Sequence, residues 1–192
     1  MATRDGGVHE SRRLVMISGC SGGGKSTLLA ALTTRGYGVV EEPGRQVVKA
    51  QLAIGGDGLP WANVERFIAL CVELAVEKWD EAQRRGGVSF FDRGIVDAVS
   101  GLQHLKLPMP PAFATALETR RYHERMFMAP PWPEIFANDD ERRHSFANAV
   151  AEFERLVEAY GRLGYDVVML PKIAVEARAA FVLEQLDLSA RA

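Results

Sequence analysis

Hydrophobic residues follow two different spacings along this chain. Five short runs are apolar at nearly every position, at residues 13–18, 37–42, 88–92, 124–129 and 166–170. Between them, apolar residues recur every three or four positions, most clearly at residues 64–79 and 150–160. Unbroken runs are typical of strands covered on both faces, and the longer spacing is typical of amphipathic helices. The pattern therefore predicts a three-layer α/β/α fold, with five parallel strands in the interior of one sheet.

The length of the chain and its turn compositions favour one domain. The 192 residues, 47% of them hydrophobic, are enough for a single well-packed core and too few for two. Stretches rich in glycine or proline at residues 55–60, 107–111 and 129–133 predict turns and loops. We expect residues 1–12, which are polar and charged, to form a flexible tail and residues 13–192 to form the domain.

Charge and composition exclude several classes of partner. With 23 lysines and arginines against 25 aspartates and glutamates, the net charge is −2, so no general positive field would hold nucleic acid or an anionic membrane. No apolar run approaches the roughly 20 residues that a transmembrane helix needs. The two cysteines, Cys20 and Cys71, are too few for a disulfide framework, and the polar start lacks the apolar core of a secretory signal. We therefore expect a soluble, cytoplasmic protein.

A phosphate-binding loop is the most specific motif in the sequence. Residues 19–26, GCSGGGKS, satisfy G-x-x-x-x-G-K-[ST] between a predicted strand and an apolar helix. Glycines allow successive N–H groups to converge on one anion, and the helix dipole adds positive charge. Lys25 is expected to reach the β- and γ-phosphates of ATP, and Ser26 to ligate Mg²⁺. The predicted nucleotide-binding residues here are Gly19, Ser21, Gly22, Gly23, Gly24, Lys25, Ser26 and Thr27.

One cysteine, Cys20, lies inside this loop. A neighbouring lysine and a helix N-terminus both lower the pKa of a thiol, so a redox-sensitive thiolate is one interpretation. A small residue that fits a tight loop is the other.

Carboxylates follow the second and third predicted strands. Glu41 and Glu42 end the run at residues 37–42, and Asp92 ends the run at residues 88–92. Ligands of parallel sheets collect at the carboxyl ends of the strands, so these side chains should lie near the phosphates. A phosphate-transferring enzyme needs a base and a metal ligand at that place.

Together these motifs resemble those of the P-loop kinases of nucleosides and nucleotides. Deoxynucleoside kinases have a similar Glu-Pro followed by Glu-Arg-Ser, and thymidylate kinases have a similar Glu-Pro-Gly followed by Asp-Arg. Residues 13–186 also resemble small bacterial proteins described as predicted AAA-type ATPases and akin to the ribosylnicotinamide kinase domain. In that group Glu-x-x-Arg follows the second strand, as Glu42 and Arg45 do here.

The resemblance implies a role for each matching residue. Glu42 would orient or deprotonate the acceptor hydroxyl, Arg45 and Arg93 would bind substrate or phosphate, and Asp92 would lie behind Mg²⁺. Phosphoryl transfer requires a metal, cations and one group that orients the nucleophile, and these residues supply all three. The two arginines also favour an acceptor that carries its own phosphate or carboxylate.

Structural alternatives exist for the same residues. Glu42 could cap the helix that begins near Gly44, and Arg93 could form a salt bridge with Asp92 or Asp97. Glu41 could be the working carboxylate instead, because a shift of one residue exchanges the faces of a strand.

A lid is expected after the fourth strand. Residues 129–146 are rich in proline and then heavily charged, and in the resembling kinases a short helical lid lies here and brings arginines to the phosphates. Arg142 and Arg143 are the predicted lid cations. The alternative is a solvated first helical turn with its arginines in water. His144 has no partner at metal-ligand spacing and is expected at the surface.

The resemblance also places the loop after the fifth strand beside the adenine ring, with Pro171, Lys172 and Ile173 nearest. Three aromatic residues, Trp61, Phe67 and Trp132, could line an acceptor pocket or belong to the core.

The sequence as a whole predicts a kinase that uses Mg²⁺ and ATP to phosphorylate a small molecule, and it favours a nucleoside-like or nucleotide-like alcohol. The motifs of GTPases, of motor-type ATPases and of ABC transporters are absent from the sequence. An ATPase that acts as a switch on a protein partner and a toxin- or resistance-type kinase remain alternatives. The helix at residues 64–79 could serve a homodimer.

Overall fold

Five parallel strands form the central sheet of this protein. A computed structural model describes residues 13–136 and 145–188. The strands are β1 (Leu14–Gly19), β2 (Gly38–Val40), β3 (Ser89–Asp92), β4 (Arg125–Ala129) and β5 (Asp166–Met169). They are arranged in the order β2-β3-β1-β4-β5, and every neighbouring pair is parallel. The predicted five-stranded parallel sheet is therefore confirmed.

Helices connect successive strands in the described part of the chain. They are α1 (Lys25–Thr34), α2 (Pro43–Ile54), α3 (Val64–Arg85), α4 (Ile95–His104), α5 (Pro111–Thr119), α6 (Phe146–Arg162) and α7 (Val175–Gln185), with a 3₁₀ turn at Pro133–Ile135. The two helices with the clearest apolar spacing are α3 and α6. Each has a side-chain cap at its start, where Asn63 accepts from the N–H of Arg66 and Ser145 accepts from the N–H of Asn148.

Strand β1 divides the core into two halves. Val15 and Ile17 face a cluster that includes Leu28 of α1 and Val182 of α7. Leu14 and Met16 face a second cluster with residues of α3 and α6, and α3 also packs on α4 and α5 in a third. Because alternate residues of a strand point to opposite faces, both faces of the sheet are covered and three layers result.

The two edge strands differ from the sequence prediction. All five strands were expected in the sheet interior, but β2 pairs only with β3 and β5 pairs only with β4. Strand β5 exposes Asp166 and leaves Met169 43% accessible. Its apolar composition reflects cover on both faces, because Val167 packs on the cluster that contains residues of α6 and Val168 packs on the cluster that contains residues of α7. Among the described helices, none combines the length and apolarity of a membrane span.

The phosphate loop begins at a very close contact between strands. Gly19 pairs with Ala129 across β1 and β4, and its φ of 123° lies in a region that side chains rarely adopt. A Cβ atom at this residue would lie 2.2 Å from the carbonyl oxygen of Ala129. Only glycine therefore allows β1 and β4 to approach here.

We expect Gly19→Ala to lower the free energy of unfolding far more than Gly55→Ala. Both residues have a positive φ, but nothing lies within 4 Å of a Cβ atom at Gly55. The Gly55 variant carries only the left-handed penalty of about 1–2 kcal/mol, and the Gly19 variant adds overpacking of about 1–3 kcal/mol. Urea denaturation of both variants measures the difference, and equal losses would show that the β1–β4 contact tolerates a methyl group.

Candidate functional site

The glycine-rich loop joins β1 to α1 at the carboxyl edge of the sheet. Gly22 and Gly24 adopt left-handed conformations with φ of 77° and 74°, and α1 begins at Lys25 immediately after them. The free N–H groups of a helix N-terminus carry a partial positive charge, which favours an anion at this position. The backbone therefore has the form that the sequence motif predicts.

Lys25 is buried beside this loop. Its side chain is 8% exposed, and its Nζ donates to the carbonyl oxygens of Gly19 and Cys20 at 3.2 and 2.9 Å. Burial lowers the pKa of the lysine, as does the charge of Arg93, whereas the nearby carboxylates, that of Asp92 first, raise it. The ammonium group thus belongs to a cluster of charges at the ends of β1, β2 and β3.

The two residues after the lysine differ in their contacts. Ser26 is exposed in the first turn of α1, where its hydroxyl is accessible to a ligand. The hydroxyl of Thr27 donates to the carbonyl oxygen of Gly24 at 3.0 Å, so it supports the loop itself.

Asp92 offers an unused carboxylate oxygen at the end of β3. The residue is 7% exposed, and its buried Oδ1 has no hydrogen-bond partner. Burial raises the pKa of this carboxyl, although the charge of Lys25 opposes that shift. A buried oxygen without a donor suits a hard cation, and protein-bound Mg²⁺ commonly takes one or two protein oxygens plus phosphate and water. No group of three metal-ligating carboxylate, histidine or cysteine side chains occurs in the described ranges.

Glu42 lies at the start of α2, turned toward the site. Its Oε2 accepts from Nε of Arg45 at 3.0 Å, and its Oε1 lies 3.6 Å from Nε of Arg93. The residue occupies the N-cap position of α2 without a capping hydrogen bond from its side chain. Glu41 is exposed to solvent. Of the two adjacent glutamates, the structure thus brings Glu42 to the charge cluster, and the capping alternative does not describe its side chain.

Arg93 is the centre of this charge cluster. Its Nη1 donates to Glu152 at 2.7 Å and lies 3.8 Å from Asp97, and the ion pair with Glu42 is the third. Although burial opposes its charge, the three carboxylates raise the pKa of the guanidinium well above its usual value. The predicted alternative partner Asp97 is present, within a larger network. The φ of Arg93 is 61°, an uncommon conformation that the surrounding ion pairs hold in place.

Glu152 was not identified from the sequence. Burial raises the pKa of its carboxyl, but the charge and hydrogen bond of Arg93 outweigh burial and the net shift is downward. A signal did exist, since Glu152 lies three residues after Ala149 and four before Leu156, both buried in the apolar stripe of α6. An acidic residue at such a position needs a buried partner.

Asp97 ties the cluster to the strand that precedes the phosphate loop. Its Oδ1 accepts from the hydroxyl of Ser18, and its Oδ2 accepts from the hydroxyl of Tyr160 at 2.6 Å and from the N–H of Gly94 at 3.0 Å. The side chain therefore links β1, α4 and α6.

Other predicted residues lie elsewhere or behave differently. Burial raises the pKa of the Cys20 thiol and outweighs the opposing effect of Lys25, which favours the second interpretation, a small residue in a tight loop, over a thiolate. Trp61 is 69% exposed, and Phe67 packs on the core cluster between α3 and α4. Pro171 is half-buried in the connection from β5 to α7, with Lys172 and Ile173 exposed beside it.

The chain after β4 covers the phosphate loop. A Cβ atom at Gly22 would lie 2.7 Å from the Phe136 ring, and one at Gly24 would lie 3.1 Å from the Ile135 side chain. Phe136 is in edge-to-face contact with Phe146, at 5.2 Å between ring centroids. The predicted lid cations Arg142 and Arg143, and also His144, lie between these two rings in sequence but outside the described residues.

A separate cleft of about 520 Å³ lies at the opposite edge of the sheet, between the turns that precede β2 and β3. Arg35 in its wall donates to the carbonyl oxygen of Ala31, and Arg85 donates to Ser89. Arg35 thus satisfies a carbonyl group at the carboxyl end of α1, and Arg85 satisfies a hydroxyl group at the start of β3. The cleft lies beside the carboxyl ends of α1 and α3, where the helix dipole disfavours anions. The glycine-rich loop lies at the other edge of the sheet.

Solved structures similar to this chain include NadR and two kinases. NadR in complex with NR has a TM-score of 0.68 and 16% identity; the match covers 92% of this chain and 52% of the NadR chain. Thymidylate kinase from Ehrlichia chaffeensis has a TM-score of 0.57 and 15% identity, over 92% of this chain and 99% of its own. Shikimate kinase from Acinetobacter baumannii, in complex with shikimate, has a TM-score of 0.55 and 14% identity, over 95% and 97%. This chain thus spans about half the length of NadR, and at these identities the matches establish the fold.

Sequence comparison gives one family. No curated protein matches the sequence significantly. The family model described as an AAA domain matches residues 14–178, which is most of the chain. The protein therefore belongs to this AAA-domain family.

Proposed function

We propose that this protein transfers the γ-phosphoryl group of ATP to a hydroxyl group of a small molecule, with Mg²⁺ as cofactor. The observation that carries the proposal is the position of Lys25. Its ammonium group is buried at the loop, where it donates to the carbonyl oxygens of Gly19 and Cys20. The charges of Arg93, Asp92, Glu42 and Glu152 all act on its pKa, which supports one site for the phosphate loop and the predicted acceptor residues. Kinases of small molecules among the structural neighbours support the same reaction class.

The residues would divide the reaction among themselves. The loop N–H groups and Lys25 bind the phosphates and neutralise their charge. Ser26 and the free Oδ1 of Asp92 would hold Mg²⁺, directly or through water; the metal supplies further charge neutralisation on the phosphates. Glu42 orients the acceptor hydroxyl and takes its proton, and Arg93 fixes the position of Glu42. Pro171 would contact the adenine ring.

The charges favour an acceptor without its own anionic group. The sequence alone favoured an anionic acceptor because Arg45 and Arg93 lacked assigned partners. In the structure Arg45 pairs with Glu42, and Arg93 pairs with three carboxylates. Their charges are already compensated, so we propose a nucleoside-like alcohol as the acceptor.

A homodimer remains a prediction without support from α3, because the apolar stripe of this helix packs on α4 and α5 within the chain. A cytoplasmic location is likewise an inference.

Purified protein with Mg·ATP should release ADP slowly alone and much faster with one acceptor. We would screen nucleosides, ribosylnicotinamide, nucleoside monophosphates and shikimate-like alcohols, and confirm the phosphorylated product by mass. Lys25→Ala should abolish the stimulated rate while the circular dichroism spectrum remains that of a folded protein, since the lysine compensates charge that backbone groups alone cannot. Hydrolysis that no acceptor stimulates, but that a protein partner does, would favour the ATPase switch instead.

Glu42→Gln should lower turnover by roughly 100-fold or more with little change in ATP affinity, the usual scale for a general base. Glu41→Gln is the matched control, because this neighbouring carboxylate is exposed to solvent. Steady-state kinetics with the identified acceptor measures both variants. The opposite ranking would show that the solvent-facing Glu41 acts as the general base.

Glu152→Gln should reduce stability at pH 7 by about 1.5–3 kcal/mol, the scale of a hydrogen bond between charged groups. The pKa of Glu152 is lowered from 4.5, so its contribution is present above pH 4.5 and is lost as the pH falls through the folded-state pKa. The difference from the parent protein should therefore shrink in acid. Glu158→Gln, which breaks an exposed ion pair with Arg162 on the same helix, should cost less than about 1 kcal/mol at either pH. Denaturant unfolding at pH 7 and at about pH 3, well below the unfolded-state pKa, measures these values, and a pH-independent loss would contradict the ion-pair explanation.

A further inference from the structure

A buried arginine donates hydrogen bonds to the backbone of the phosphate loop. Arg178 of α7 is 2% exposed and is the largest of the fully buried side chains described. Its Nη2 donates to the carbonyl oxygen of Gly23 at 3.1 Å, and its Nη1 donates to that of Gly24 at 3.3 Å. The indole ring of Trp132 lies 5.5 Å from the guanidinium carbon. Gly24 and Gly23 lie 154 and 155 residues before Arg178 in the sequence, so the loop motif alone does not predict this contact.

The charge of Arg178 has no anionic partner in the parts of the chain that the structure describes. Burial is the sole cause that lowers its pKa, with no contribution from a neighbouring charge. Its buried Nε has no hydrogen-bond partner either. A buried guanidinium without a counter-ion is costly, so its retention here requires a compensating interaction.

Peptide geometry determines where that interaction lies. In a planar trans peptide the C=O and the following N–H point in opposite directions. Because the carbonyls of Gly23 and Gly24 point to Arg178, the N–H groups of Gly24 and Lys25 point away from it. That opposite side is the one on which the loop would bind phosphate. The contact also excludes other residues, since a Cβ atom at Gly24 would lie 2.6 Å from Nη1 of Arg178.

We propose that Arg178 is a positioning residue for the polyphosphate of the nucleotide. It holds two loop peptides with their N–H groups toward the phosphates, and the phosphate charge compensates the guanidinium across the loop. This inference rests on the proposed binding of ATP. It assigns to α7 a part in nucleotide affinity.

Three variants separate the charge of Arg178 from its geometry. Arg178→Met removes both, Arg178→Lys keeps the charge but cannot span two carbonyls with a planar fork, and Arg162→Met removes an exposed arginine elsewhere as a control. Calorimetry with Mg·ATP, Mg·ADP and inorganic pyrophosphate measures affinity, and thermal unfolding without and with each ligand measures stability.

We expect Arg178→Met to weaken all three ligands by about 10-fold to 100-fold, the range for lost hydrogen bonds to charged groups. Without ligand its melting temperature should equal or exceed that of the parent, since an unpaired buried charge has been removed. The affinities of Arg178→Lys should lie between those of Arg178→Met and the parent, and the affinities of Arg162→Met should match those of the parent. With the identified acceptor, the loss should appear mainly in the KM for ATP and less in kcat.

The outcomes distinguish this inference from the proposed function. A parent protein that binds none of the three ligands would refute the proposed function. A parent that binds them and an Arg178→Met variant that binds equally well would overturn the role of Arg178 alone. If Arg178→Met does not fold, unchanged affinities in Arg178→Lys would overturn the two-carbonyl geometry, and weakened ones would support it.

Discussion

The ion pairs of Arg93 hold the functional edge of the sheet together. Arg93 follows β3, and its partners come from α2, α4 and α6. Asp97 extends the network to Ser18 in β1 and Tyr160 in α6. Three segments far apart in sequence, at Glu42, at residues 93–97 and at Glu152, thus meet through one guanidinium. Removing one partner leaves the buried guanidinium less compensated, and the same network joins Glu42 to Ser18 in the strand before the phosphate loop.

Charge is distributed unequally over this edge. On the acceptor side, each arginine is paired with at least one carboxylate. Under the phosphate loop, Arg178 has no carboxylate among the described residues, and Lys25 donates only to backbone carbonyls. Under the proposed function, the nucleotide side therefore has positive charge available for a polyanion, and the acceptor side does not. This asymmetry agrees with a phosphorylated donor and an uncharged acceptor.

The sequence predicted the parts of the site that are local in the chain. The loop at residues 19–26, the strands and Glu42 all follow from short patterns, because backbone conformation there depends on neighbouring residues. Glu152 and Arg178 did not follow, since their roles arise from contacts across the fold, although the acidic residue in the stripe of α6 was a usable signal. For Cys20 the sequence left a thiolate and a small loop residue open, because burial, which outweighs Lys25 and raises the pKa of the thiol, depends on packing. The edge positions of β2 and β5 were missed for a related reason: an apolar run shows that the faces of a strand are covered, but not whether both of its edges are paired.

The short edge strands of the sheet have a consequence for self-association. The two edge strands, β2 and β5, have three and four residues. Strand β5 also exposes the charged side chain of Asp166, which pairs with Arg125 of β4. A strand that offers so few free backbone groups is a poor template for a strand of another molecule. A charged side chain on the edge strand makes such pairing less favourable still. We therefore expect this sheet to resist edge-to-edge aggregation, even though its central strands are among the most apolar segments of the chain.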